Sequence, residues 1–290
     1  MKLLEKILFC FIRLIPRQPN SKFQRFLAFL LNRVLKYRSN VISKNLRLCF
    51  PDNMQQNDDI KQNYYQNLSR YITETLRAMV FKKEELLKKV RFEHTSEASQ
   101  LQVQHEIQIM LGSHLGNWEL ISMAMPHLLN MEVVVVYKPL SNKWLNGVLN
   151  RSRSRFGLKL APMGEIARHM ISRPPNTCFY FVTDQSPPAK KEGDVATFFN
   201  METVFYDGVM KLAKKYKCQV YYLHTTISED HYQISLEGID ANNITQDYAN
   251  KLERDIREHP SYWLWSHNRW KHKMPLHNSA KEKDIKVKET

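Results

Sequence analysis

An apolar run without polar alternation, VVVVY at residues 133–137, is the feature that most constrains the fold of this chain. Such a run is typical of a strand that is buried on both faces of a sheet, as strands in parallel sheets are. A second run of this kind, at residues 177–182, is separated from the first by helical spacing of apolar residues at 141–156. This alternation predicts an α/β fold, with a mixed, largely parallel sheet flanked by helices.

The same patterns predict the other elements and the division of the chain. We expect further strands at residues 107–111, 220–227 and 232–236, the last antiparallel to its predecessor, and helices at 40–48, 60–81, 117–129, 207–217 and 245–258. The length of 290 residues suits one large domain with extensions. We therefore predict membrane-associated amphipathic helices at 1–37, an α/β domain at 38–275 and a charged, frayed tail at 276–290.

The positive charge is concentrated at the N-terminus. The formal net charge is +14, and residues 1–50 contain 11 Lys and Arg residues against one acidic residue, Glu5. Between positions 21 and 37 the apolar residues follow the spacing of one helical face: Phe23, Phe26, Leu27, Leu30, Leu31, Val34 and Leu35. This combination predicts an amphipathic anchor that lies in an anionic membrane surface. The alternative is that these helices only pack on the domain core.

Two other features bear on the compartment. The apolar stretch 3–15 contains three charged residues and ends at Pro16, so it is a poor transmembrane helix and a poor signal peptide. The four cysteines are far apart and form no Cys-x-x-Cys pair, which predicts buried free thiols in a reducing compartment: Cys10, Cys49, Cys178 and Cys218. Together with the basic N-terminus, this favours the cytoplasmic face of a membrane.

The stretch GSHLGNWEL at residues 112–120 contains the candidate catalytic residues. His114 directly follows a predicted strand, where reactive groups collect in open α/β sheets, and Asn117 is a plausible N-cap for the next helix. We expect Glu119, in the first turn of that helix, to accept the Nδ1 hydrogen of His114 and leave Nε2 free to take a proton. The alternatives are a turn histidine beside an acid that complements the helix dipole, or a zinc ligand, for which no His-Glu-x-x-His motif or nearby cysteine is present.

Five motifs in a fixed order resemble those of one family. They are NLRLCFP at 45–51, GSHLGNWE at 112–119, VYKPLSN at 136–142 with arginines downstream, FVTDQSP at 181–187 followed by TFF, and HPSYWLWSHNRWK at 259–271. The chain is similar to the bacterial lipid A biosynthesis acyltransferases, the lauroyl and myristoyl transferases of the lysophospholipid acyltransferase superfamily. It departs from them at Asn200, where the family commonly has the glycine of a Phe-Phe-Gly sequence.

The resemblance implies a glycerolipid acyltransferase-like fold and the transfer of a fatty acyl chain from a thioester to a hydroxyl on a glucosamine lipid. The implied partners are an acyl carrier protein as donor, the acceptor lipid and the inner-membrane surface; no cofactor and no metal are implied. His114 would act as general base, Arg151 would stabilise the oxyanion, and Asp184 would position a loop or a base. Lys138 and Asn142 would contact the acceptor's phosphate or sugar. Each of the last four also has a structural alternative: Arg151 as part of a solvated helix face, Asp184 as a helix or turn cap, and Lys138 and Asn142 as caps of the following helix.

Other interpretations of the chain remain open at this point. Three tryptophans near the C-terminus, Trp263, Trp265 and Trp270, are expected in the core, and the charged residues among them could meet an acidic carrier or a phosphorylated lipid. A nucleic-acid-binding protein is disfavoured, because the chain has no RNA-binding, zinc-finger or recognition-helix signature. A non-catalytic membrane scaffold and an acyltransferase for another lipid acceptor are the remaining alternatives.

Overall fold

The computed structural model describes residues 2–18, 20–95, 107–174, 176–188 and 193–272, so the tail predicted at 276–290 lies outside it. The strands are β1 (Val90–Phe92), β2 (Gln108–Gly112), β3 (Glu132–Tyr137), β4 (Lys159–Pro162), β5 (Thr177–Val182), β6 (Gly193–Phe198), β7 (Met201–Tyr206), β8 (Gln219–Ile227) and β9 (Tyr232–Gly238). The helices are α1 (Lys2–Leu14), α2 (Lys22–Phe29), which continues into a π-helical turn at Leu30–Val34, α3 (Ser39–Cys49), α4 (Met54–Ala78), α5 (Lys83–Lys89), α6 (Trp118–Leu128), α7 (Lys143–Ser154), α8 (Ile166–Ile171), α9 (Gly208–Lys215) and α10 (Ile244–Glu258).

Seven strands form one sheet in the order β1-β9-β8-β2-β5-β3-β4. Every pair in this sheet is parallel except β8 and β9, which run antiparallel. The predicted mixed, largely parallel sheet is therefore confirmed, as is the antiparallel partner of β8. Along the central strand β2, Ile109 and Leu111 join one hydrophobic cluster and Met110 joins another. Alternate side chains thus bury both faces of the sheet, which is why the strands have continuous apolar sequences.

The pairing of β2 with β5 positions the loops that matter for function. Gly112, the last residue of β2, pairs with Val182, the last residue of β5. Because the two strands are parallel, the segments that follow them leave the same edge of the sheet side by side. The candidate residues His114 and Asp184 lie on these two segments.

The two N-terminal helices pack on the rest of the protein with one face and expose the other. Ile12 of α1 is buried in a cluster with Met79 and Val148, and Gln24 of α2 donates a buried hydrogen bond to Thr73 of α4 at 2.7 Å. The opposite faces, and the end of the π-helical turn after α2, carry exposed large apolar residues: Ile7, Phe11, Leu14, Phe23, Phe26, Phe29, Val34 and Leu35. Within the described parts of the chain, no helix combines the length and the apolarity needed to cross a bilayer.

The hairpin of β6 and β7 lies outside the main sheet and was not predicted from the sequence. Its turn residues Phe199 and Asn200 both have positive φ, 51° and 57°. Asparagine tolerates this left-handed conformation better than most residues that carry a side chain, so Asn200 can serve where the family pattern has glycine. The guanidinium of Arg257 lies over the ring of Phe199, 4.7 Å from its centroid, and holds the turn against α10.

The cysteines are free, as predicted, but they are not all buried. Cys49 and Cys178 are buried and Cys218 is half-buried, whereas Cys10 is exposed on α1. The prediction of burial is wrong for Cys10, because that part of α1 exposes even its apolar residues Ile7, Phe11 and Leu14.

Candidate active site

His114 lies in a tight turn between β2 and α6 that depends on two glycines. A side chain at Gly112 would begin 2.2 Å from the hydroxyl of Tyr180, and Gly116 has a φ of +64°. Neither position tolerates a larger residue without movement or strain. The side chain of Asn117 then caps α6, because its Oδ1 accepts the backbone N–H of Leu120 at 3.2 Å, as predicted.

The partner of His114 is Asp184. Nδ1 of the imidazole lies 2.6 Å from Oδ1 of Asp184, and the backbone N–H of His114 donates to Oδ2 of the same carboxylate at 3.0 Å. His114 and Asp184 each lie two residues beyond the paired strand ends Gly112 and Val182. The sheet therefore brings them together, and Asp184 takes the place on Nδ1 that was predicted for Glu119. The prediction that Asp184 positions a base fits this geometry.

The surroundings of Asp184 keep it ionised. It is 1% exposed, and its Oδ2 also accepts the indole N–H of Trp263 at 2.7 Å. Burial alone would raise the pKa of Asp184, but the charge of His114 and the hydrogen bonds from His114 and Trp263 outweigh burial and hold that pKa below its ordinary value. Asp184 is thus a buried carboxylate with three hydrogen-bond donors around it.

The second ring nitrogen of His114 is turned toward a side-chain amide. Nε2 lies 3.2 Å from Nε2 of Gln185. With the hydrogen on Nδ1 directed at Asp184, this second nitrogen carries a lone pair and accepts an N–H from Gln185. The His114 side chain is 17% exposed. A hydroxyl that replaced the Gln185 amide would meet a nitrogen able to take its proton.

Glu119 forms a bidentate ion pair with Arg153 of α7. Nε of Arg153 lies 2.9 Å from Oε2, and Nη2 lies 2.5 Å from Oε1. Burial alone would lower the pKa of Arg153, but hydrogen bonding to Glu119 and its negative charge outweigh burial and raise it. The pair ties α7 to the first turn of α6, next to Trp118, whose ring centroid lies 4.7 Å from that of His114.

The other predicted site residues are an exposed arginine, a helix cap and an exposed lysine. Arg151 is 56% exposed and pairs with Glu5 of α1, so it is directed at the N-terminal helix. Asn142 caps α7, because its Oδ1 accepts the backbone N–H of Leu145 at 3.0 Å. Lys138 is exposed on the segment that follows β3. The alternatives of a solvated arginine and a helix cap therefore describe Arg151 and Asn142 in this structure.

The segment at residues 262–267 holds both loops of the site. Trp263 forms an isolated antiparallel bridge with Leu115, and the backbone N–H of Leu264 donates to the carbonyl of His114 at 3.1 Å. On the other loop, the backbone N–H of Ser186 donates to Nε2 of His267 at 3.1 Å. Burial lowers the pKa of His267 to about 4, so this imidazole is neutral and able to accept at neutral pH.

The aromatic residues of this segment belong to the core, as predicted. Trp263, Trp265 and Trp270 are all buried. Arg269 is buried as well and lies over the ring of Phe205, 4.3 Å from its centroid, so it packs inside the protein and is not presented to a carrier protein.

Three residues at the site were missed in the sequence: Gln185, Trp263 as a partner of Asp184, and Arg153. Gln185 had a usable signal, because it follows a buried strand just as His114 does. Arg153 is one of the arginines downstream of VYKPLSN, but the motif did not distinguish it from Arg151. Nothing local in the sequence links Trp263 to Asp184.

Comparison with known proteins agrees with the motifs. The family model described as "Bacterial lipid A biosynthesis acyltransferase" matches residues 2–272. Similar proteins are a lipid A biosynthesis palmitoleoyltransferase of Escherichia coli (strain K12) and a lipid A biosynthesis acyltransferase of Shigella flexneri. Each is 24% identical over 247 residues, which cover 82% of this chain and 80% of the relative. Because the family match extends over nearly the whole chain, this protein belongs to the bacterial lipid A biosynthesis acyltransferases.

Proposed function

We propose that this protein transfers a fatty acyl chain from an acyl carrier protein thioester to a hydroxyl of a lipid A precursor, with His114 as general base. The observation that carries the proposal is the Asp184–His114 pair at the carboxyl edge of the sheet, with Nδ1 on the carboxylate and Nε2 facing a displaceable amide. This arrangement suits the removal of a proton from a hydroxyl.

The reaction follows from this geometry. The acceptor hydroxyl takes the place of the Gln185 amide at Nε2, and its proton passes to His114 as the oxygen attacks the thioester carbonyl. A C–O bond forms and a tetrahedral oxyanion results. Its collapse breaks the C–S bond, and the departing thiolate takes the proton from the imidazolium. Asp184 stabilises the imidazolium while it exists and returns the ring to the tautomer with hydrogen on Nδ1.

Arg153 is the better candidate for the positive charge near the oxyanion. Its guanidinium binds Glu119 through Nε and Nη2, and Glu119 lies in the first turn of the helix that follows the His114 turn. Glu119 then acts by positioning Arg153. This assignment replaces Arg151, which is engaged with Glu5.

Replacing Arg153 by Ala should therefore slow transfer by at least about tenfold, because it removes a charge aimed at the transition state. Arg151→Ala, the same change two residues away on the same helix, is the control and should leave the maximal rate within about twofold. Steady-state rates with both substrates saturating measure the difference. Equal loss in the two variants would contradict the role given to Arg153.

The test of the proposed function is acyl transfer by the purified full-length protein. The donor is an acyl thioester of an acyl carrier protein, the acceptor is a glucosamine lipid that bears hydroxyacyl chains, and mass spectrometry follows the product. We expect the acceptor to gain one acyl group at a hydroxyl.

Because acyl carrier proteins are acidic and this chain carries a net charge of +14, the apparent donor affinity should weaken as salt rises. Equal use of a coenzyme A thioester, or a salt-insensitive response, would contradict the choice of donor.

The acceptor is tested separately in cells. Mass spectra of total lipids with and without this protein should differ in the acyl chains of lipid A. A difference confined to phospholipids, other glycolipids or aminoacyl lipids would assign the same chemistry to another acceptor. A protein that changed no lipid in either test would fit the scaffold alternative.

We also propose that the exposed faces of α1 and α2 dock on the cytoplasmic surface of the inner membrane. The support is the exposed apolar row of Ile7, Phe11 and Leu14 on α1, together with the basic residues that surround it in the sequence. Because the opposite faces pack on α4 and α7, a deletion of residues 1–37 would also expose core side chains such as Ile12. Substitutions on the exposed face are therefore the cleaner test.

The double variant Phe11→Ser, Phe26→Ser should bind vesicles that contain phosphatidylglycerol about tenfold more weakly, because two large apolar side chains no longer enter the lipid. Vesicle co-sedimentation measures this, and the melting temperature should stay close to that of the wild type because both residues are exposed. Ile171→Ser, an exposed apolar position on α8, is the control. Unchanged binding of the double variant would contradict the docking face.

A further inference from the structure

Three buried tryptophans near the C-terminus donate their indole N–H groups to different kinds of acceptor. Trp265 donates to the carbonyl of Pro260 at 2.6 Å, and Trp270 donates to Oγ1 of Thr203 at 3.0 Å. Trp263 donates to Oδ2 of Asp184 at 2.7 Å. Of the three, Trp263 is the one whose indole N–H meets a charged side chain, and that side chain is the partner of His114.

The contact of Trp263 with Asp184 is held from several sides. Trp263 is 2% exposed, and its ring packs against that of Trp265 at 4.8 Å between centroids. Its backbone bridges Leu115, the residue after His114. The same short segment therefore fixes the main chain of the His114 turn and the carboxylate that orients the His114 ring.

We infer that Trp263 is a positioning residue, which acts on His114 by fixing the orientation of the Asp184 carboxylate. The indole and the backbone N–H of His114 both donate to Oδ2, and this leaves Oδ1 directed at Nδ1 of the imidazole. Without the indole N–H, the carboxylate keeps one donor on Oδ2 and is less constrained in rotation about its Cβ–Cγ bond. This inference rests on the proposed role of His114 as base.

The kinetic test compares Trp263→Phe with Trp270→Phe. Both variants lose one indole N–H in the same aromatic cluster, so their melting temperatures should fall by similar amounts. Trp263→Phe should lower kcat about tenfold, because a hydrogen bond to a charged group is lost, and should leave KM for the donor unchanged. The acid side of its pH–rate profile should also move to higher pH, because a carboxylate with one donor fewer binds the Nδ1 hydrogen of His114 more strongly and so favours the protonated ring. Trp270→Phe should leave kcat and the pH profile unchanged.

A second measurement tests the contact without any activity. In a ¹H–¹⁵N spectrum of the full-length protein, the indole signals of Trp263 and Trp270 are assigned from their absence in the two Phe variants. Asp184→Asn should shift the Trp263 signal, because its acceptor changes from a carboxylate to an amide, and should leave the Trp270 signal in place.

The outcomes separate this inference from the proposed function. If the wild type transfers no acyl group, the proposed function fails, and with it the role of Trp263 in catalysis, even where the spectrum shows the contact. If the wild type is active, equal losses of kcat in the two Phe variants with unchanged pH profiles overturn the inference. A Trp263 signal that does not respond to Asp184→Asn overturns it in either case.

Discussion

Acyl transfer should fall by about 10²- to 10⁴-fold when His114 is replaced by Ala, which is the usual contribution of a positioned general base. The amide of Gln185, which lies 3.2 Å from Nε2 of His114, cannot take over as base, because an amide does not accept a proton at neutral pH. Initial rates of formation of the acylated lipid, measured by mass spectrometry with saturating substrates, give the size of the loss.

The His114→Ala variant also leaves the buried Asp184 without its imidazole partner, so a stability control is needed. His114→Asn supplies that control, since its amide N–H can still donate to Asp184 but the side chain cannot act as a base. We expect both variants to lose transfer and His114→Asn to melt closer to the wild type. Transfer at the wild-type rate by a folded His114→Ala protein would rule out the proposed mechanism.

Asp184→Asn should lower the rate of acyl transfer about as much as the loss of the base itself does, on the order of 10²- to 10⁴-fold. The reason is that asparagine favours the wrong tautomer of His114. Two donors, the indole of Trp263 and the backbone N–H of His114, converge on the Oδ2 position of residue 184. They hold the amide oxygen of an asparagine there, and its NH₂ group then faces Nδ1. The imidazole must accept at Nδ1 and carry its hydrogen on Nε2, where it can no longer take a proton.

Glu119→Gln is the matched comparison for Asp184→Asn. The change is the same in kind, a carboxylate to its amide, but Glu119 is paired with Arg153 in the structure. We expect a smaller loss of rate in Glu119→Gln, because the tautomer of His114 is untouched. The comparison is made with kcat at neutral pH, and a larger loss in Glu119→Gln than in Asp184→Asn would return the orienting role to Glu119.

The Asp184–His114 pair illustrates what could and could not be predicted about the site. The sequence placed His114 and Asp184 each just after a buried strand, and both predictions are confirmed by β2 and β5. It did not show that these strands are neighbours, because strand order depends on contacts between residues far apart in the chain. Glu119 was chosen because it is close in sequence, whereas the actual partner lies 70 residues away.

The arginines of α7 show a second limit. Arg151 and Arg153 are two residues apart, so their side chains leave the helix about 200° apart. Which of the two faces the site depends on how the helix is rotated against its neighbours, and here Val148 and Ser152 are the buried positions of α7. The spacing of apolar residues predicted the helix but did not settle the direction of each charged side chain.

The hairpin of β6 and β7 was missed because its stability comes from outside its own sequence. β6 has no continuous apolar run, and β7 has only the short run 204–206. β6 is held by α10, because the backbone N–H of Thr197 donates to Gln246 and Thr245 donates to Asp194. By contrast, α10 and β5 were predicted closely, since amphipathic and fully buried patterns are local properties.

The protonation state of the His114 ring tests the central claim most directly. In protein labelled with ¹⁵N-histidine, the His114 signals are assigned from their absence in His114→Ala, and their shifts report which ring nitrogen carries the hydrogen. We expect hydrogen on Nδ1 in the neutral ring of the wild type, the same tautomer in Glu119→Gln, and hydrogen on Nε2 in Asp184→Asn. A wild-type ring with hydrogen on Nε2, or a tautomer that changes with Glu119 and not with Asp184, would contradict it.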